Sequence, residues 1–73
     1  MTGVTVERTS AISELRDVAD EFSARAQMQE TCRDRVRPGT GVHHLHAHSA
    51  TLWRLAENSL RARIQELEID SAK

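Results

Sequence analysis

The run Arg35-Val36-Arg37-Pro38-Gly39-Thr40-Gly41 decides how this chain is organised. Pro38 disfavours helical geometry at Arg37, and the glycines suit turn backbone. The only other glycine is Gly3, and there is no second proline. Residues 4–37 and 42–73 therefore hold no helix breaker. Two long stretches around one turn predict an all-α, two-helix antiparallel hairpin. The pattern places helices at about 10–35 and 42–69, with the turn at 36–41. Residues 10–70 then form one helical-hairpin domain between a flexible N-terminal tail, 1–9, and a C-terminal tail, 71–73.

Working back from the turn, Ala11, Ile12, Leu15, Val18, Ala19, Phe22 and Ala26 recur at spacings of three and four. At 100° per residue they share a band roughly 100° wide, the core stripe of an amphipathic helix. Ser10 is placed to cap its start. Arg16–Asp20 and Glu21–Arg25 are expected as i,i+4 ion pairs on the wet side. Arg33, Arg35 and Arg37 crowd the last turn, where cations favour the helix dipole.

Working forward, Thr40 is the expected N-cap of the second helix. Val42, Leu45, Ser49, Leu52, Trp53, Ala56, Leu60, Ile64 and Leu67 step onto one face. A rival start, with Ser49 as N-cap and 39–48 as loop, fits this stripe less well. The expected core sets Ile12, Leu15, Ala19, Phe22 and Ala26 against Leu45, Leu52, Trp53, Ala56, Leu60, Ile64 and Leu67. A second line, His48, Leu55, Ala62 and Ile69, repeats every seven residues away from the first stripe. Its simplest partner is another copy of the chain, giving a homodimeric four-helix bundle. Trp53, Leu55, Ala62, Ile69 and Phe22 are the candidate interface residues. Trp53, large and rigid, suits a binding hot spot, and equally a plain core position.

Composition narrows the function classes. In 73 residues, 38% are apolar and only Phe22 and Trp53 are aromatic. A chain this short buries little core alone and gains from a partner. Its apolar runs are too short for a membrane span or a signal-peptide core. Cys32 is the only cysteine, so no disulfide framework exists; an unpaired thiol suits a reducing cytoplasm. A formal charge of -1 supplies no overall field for nucleic acid. Nine arginines accompany one lysine, a bias that fits GC-rich coding and a phage-type accessory gene.

Four histidines, His43, His44, His46 and His48, fall within six positions. On a helix, His44 and His48 are i,i+4 partners able to share zinc or another divalent metal. His43 and His46 lie on another side, and Cys32 could join across the turn. No zinc-type spacing links Cys32 to the histidines, so no cofactor is expected, and a solvated polar face is the plainer reading. With Arg33, Arg35 and Arg37, the histidines make the turn end basic, and acidification would add charge. Glu66, Glu68 and Asp70, beside the region of Glu7, make the open end acidic.

The arginines of the turn are candidate contacts for an anion, DNA or RNA. Helix-turn-helix units need shorter helices and a third element, and stacking aromatics are missing. A ribbon-helix-helix reading of Val4-Thr5-Val6 needs a turn inside 10–37 that nothing there supplies. Ser49 or Cys32 beside a histidine makes a nominal nucleophile–base pair, but a two-helix chain offers no pocket for catalysis. The expectation is a non-enzymatic protein–protein interaction module: a self-associating adaptor, inhibitor or assembly component. Its other partner is an unidentified protein, and no membrane is involved. A nucleic-acid-contacting regulator and a histidine metal binder are the alternatives.

Overall fold

The structure is a computed structural model that describes the backbone of residues 2–72 and the side chains of 7–70. The expected tails fall largely outside that side-chain range. Helix α1 spans Thr2–Arg35 and helix α2 spans Gly41–Ala72, packed against each other as a hairpin. The pair measures 57 × 15 × 11 Å, close to one helix length by two helix widths. Neither helix is long and apolar enough to cross a membrane among the described residues.

The turn is built as its residues dictate. Gly39 takes φ 84°, a left-handed backbone that glycine adopts without steric cost. The Val36 amide donates to the Arg33 carbonyl, and the Thr40 amide to that of Arg37. Thr40 then caps α2: its Oγ1 accepts from the His43 amide at 3.2 Å and donates to the Arg37 carbonyl at 2.8 Å. This capping rules out the start at Ser49, which lies well inside α2. At the other end α1 runs back to Thr2, so Ser10 is interior to the helix and is no N-cap.

A single seam closes the hairpin. On α1, Ile12, Ala19 and Ala26 are buried seven residues apart, with Leu15 and Phe22 half-buried between them. On α2 the same alternation runs through Ala50, Trp53, Glu57, Leu60, Ile64 and Leu67. This three-four spacing is the signature of coiled-coil packing. The open half of the seam is hydrocarbon, with Leu15, Leu60 and Leu67 packed on Ile12, Ala19 and Ile64. Toward the turn it continues through half-buried Gln29, Arg33 and Val36 against His43 and His46. The alanines bring the backbones close but fill little volume, and no large described side chain is fully buried.

A third of the stripe expected on α2 is not core. Val42, Leu45 and Leu52 stand in solvent, as does Val18 on α1. The cause is register. Read back from Ile64 in alternating steps, the seam passes through Leu60, Glu57, Trp53 and Ala50. The line through Ala56, Leu52, Ser49, Leu45 and Val42 lies one residue earlier, roughly 100° round the helix. Both lines share Leu60, Ile64 and Leu67, and they diverge toward the turn. Packing α1 on the more apolar line would have swung it away from the continuous seam below.

Candidate interaction surface

The structure separates the four histidines into two pairs. His43 and His46 point into the turn half of the seam. His46 Nδ1 lies 2.7 Å from Gln29 Oε1 of α1, while the enclosed Nδ1 of His43 has no hydrogen-bond partner among the described residues. His44 stacks edge-on against His43 at 5.8 Å between ring centres. His44 and His48 are exposed on the outer face. Among the described residues no group of three or more His, Cys, Asp or Glu side chains is arranged to hold a metal ion. Cys32 is half-buried.

Of the three turn arginines, Arg33 is committed: its Nε donates to Asp34 Oδ1 at 2.9 Å. That contact holds the Asp34 carboxyl below its ordinary value, with the nearby His43 adding to the effect. Arg35 and Arg37 are exposed.

One edge of the hairpin is an ion-pair ladder that sequence reasoning missed. Glu57 sits on the seam at 8% exposure, the only buried charged residue described. Arg61 Nε at 2.9 Å and an Arg54 guanidinium nitrogen at 3.0 Å satisfy its carboxylate. Arg54 crosses to α1, donating to both Glu30 oxygens at 2.8 and 3.2 Å and to Ser23 at 3.1 Å. Arg61 crosses to Asp20 at 3.0 Å, and Arg16 pairs with Glu68. Arg16 thus reaches across the hairpin, and its expected pairing with Asp20 does not form. Glu21–Arg25 does form, at 3.0 Å. Hydrogen bonds from Arg61 and Arg54 hold Glu57 below its ordinary value, and Arg54 does the same for Glu30. The spacing Arg54-x2-Glu57-x3-Arg61, one helical turn to either side, was the available signal.

The residues expected at an interface divide likewise. Phe22 and Trp53 face each other within the hairpin, ring centres 5.3 Å apart and tilted by 50°. The Arg25 guanidinium lies 5.4 Å from the Trp53 ring centre, within cation–π reach. These two aromatics therefore join α1 to α2. Leu55, Ala62 and Ile69 are exposed, and Leu45 and Leu52 join them. Exposures are 66% for Leu45, 52% for Leu52, 60% for Leu55 and 52% for Ile69. None of the four belongs to the seam that α1 covers. Trp53 also borders a shallow depression with Ser49, Leu52 and Ala56.

The fold and surface define a two-helix antiparallel hairpin with one ion-paired edge and an apolar outer face. Comparison with protein-family models, curated proteins and solved structures finds no match for the chain.

Proposed function

We propose that this chain is a non-enzymatic protein–protein interaction module that works as a self-associated helical hairpin, an adaptor, inhibitor or assembly component. The observation that carries this reading is the outer face of α2, where Leu45, Leu52, Leu55 and Ile69 are each more than half exposed. A surface helix ordinarily shows one apolar stripe. This one carries, beside the seam that α1 covers, large apolar side chains that α1 leaves bare. Large apolar side chains left in solvent along one helix line suit an interaction surface. The occupant is a second copy: with His48, Ser59, Ala62 and Glu66 between them, these residues fall on the three-four spacing of a helix-packing seam, and pairing two hairpins supplies the core volume that the alanine-rich interior lacks.

Light scattering behind a sizing column tests the reading. The chain should run above its 8.2 kDa monomer mass at micromolar concentration. Leu52→Asp should return it to monomer while the far-ultraviolet circular dichroism stays helical, because Leu52 takes no part in the seam. A wild-type chain that remains monomeric across that range overturns the proposal.

A further inference from the structure

Resting on that reading, we infer that two copies pair α2 against α2 in antiparallel register, with Leu45 of one copy packed on Ile69 of the second. The outer face of α2 has a seam of its own. Leu45, Leu52, Leu55 and Ile69 fall on three-four steps with His48, Ser59, Ala62 and Glu66 between them. Leu45 and Leu52 lie on the flank of the seam facing α1, roughly 100° from Trp53 and His46, and Leu55 and Ile69 lie nearly opposite that seam. The helices then lie in a row, α1 and α2 of one copy followed by α2 and α1 of the other.

Running the line against itself in opposite directions gives a complementary set of layers. Leu45 meets Ile69 of the second copy, Leu52 meets Ala62, and Leu55 meets Ser59. Each larger leucine in the two inner layers faces a small residue, the alternation that fills an interface without voids. His48 meets Glu66 of the second copy, an imidazole against a carboxylate. The positions flanking the line bring Ala56 to Ala56 and Ser49 to Arg63, so no like charges oppose each other. The alignment overlaps the two α2 helices along nearly their whole length. It also sets the basic turn end, with exposed Arg35 and Arg37, beside the acidic end that carries Asp70. The parallel alternative stacks Glu66 on Glu66 and turn on turn, like charge on like, and leaves Ala62 on Ala62 with little to pack. Steric and charge complementarity therefore select the antiparallel pairing.

Single cysteines in a Cys32→Ser background read the register directly, because a disulfide needs Cα atoms within about 7 Å. Leu45→Cys and Ile69→Cys are both exposed in the hairpin, so each variant should keep its helicity. Mixed and mildly oxidised, the two should give a disulfide-linked heterodimer, and neither should link efficiently to itself. Efficient self-linking of Leu45→Cys would establish the parallel register and overturn the inference. So would the absence of any link while light scattering still shows a dimer; self-association would then stand on another surface. A chain that is monomeric by light scattering overturns both. As an independent readout, Glu66→Arg should weaken dimerisation several-fold, and adding His48→Glu should restore it. Failure of that rescue in a chain that still dimerises removes the His48–Glu66 contact, and with it the register.

Discussion

At the scale of single residues, the stability of the hairpin rests on few side chains. Ile64 is buried to 5% exposure and belongs to the cluster with Ile12 and Ala19. Ile64→Ala should cost about 2–4 kcal/mol, measured by denaturant unfolding, from lost transfer energy and the cavity left behind. Gly39 carries a different cost. A Cβ there would meet nothing within 4 Å, so crowding is no obstacle. Its positive φ is, and Gly39→Ala should lose about 1 kcal/mol through backbone strain alone. Gly41 has equally open surroundings and is the first residue of α2 with no positive φ, so Gly41→Ala should be neutral or stabilising, the control for the first substitution.

At the scale of the helices, charge and register work together. Glu57 occupies a seam position that an apolar residue would ordinarily fill, and it persists because Arg54 and Arg61 clamp it and cross to α1. Both Glu30 and Glu57 titrate below the ordinary glutamate value of 4.5. The unfolded chain then binds more protons than the hairpin just below that value. Stability from the ladder is fully present above about pH 4.5 and is lost as the pH falls through the folded-state values. Denaturant unfolding between about pH 5 and pH 3 should show a falling free energy, and Glu57→Gln should flatten that slope. The helices themselves were legible in the sequence, because Pro38, Gly39 and the capping Thr40 leave the chain no other place to turn. The facing side of α2 was only half legible. Counting apolar residues favours Val42, Leu45 and Leu52, whereas the seam continues from Leu60 and Ile64 through Glu57, Trp53 and Ala50. No hydrophobicity count would put Glu57 in a core, since its burial depends on two arginines whose partners lie on the other helix.

At the scale of the whole molecule, a needle of 57 × 15 × 11 Å exposes almost every residue on some side. Its interior holds alanines where a self-sufficient bundle would hold leucines. Association should therefore contribute to folding, and the melting temperature should rise with protein concentration, as mass action requires of any partner that binds only the folded form. Circular dichroism melts across about two decades of concentration check this. Leu52→Asp should abolish the dependence, because it acts on the outer line and leaves the seam to α1 intact. The second line on α2 was visible in the sequence as His48, Leu55, Ala62 and Ile69. Its full extent, with Leu45 and Leu52 added, became visible only once α1 was seen to cover the other side.

By itself the sequence determined two helices, the turn between them, the Thr40 cap and the open-end core. Each of these depends on local backbone preference or on an unbroken apolar period. Tertiary structure decided which of two diverging lines on α2 faces α1, that Glu57 lies inside, and that two of the four histidines turn in while two turn out. Those choices depend on what stands opposite each residue on another helix, and periodicity along one helix carries no information about that.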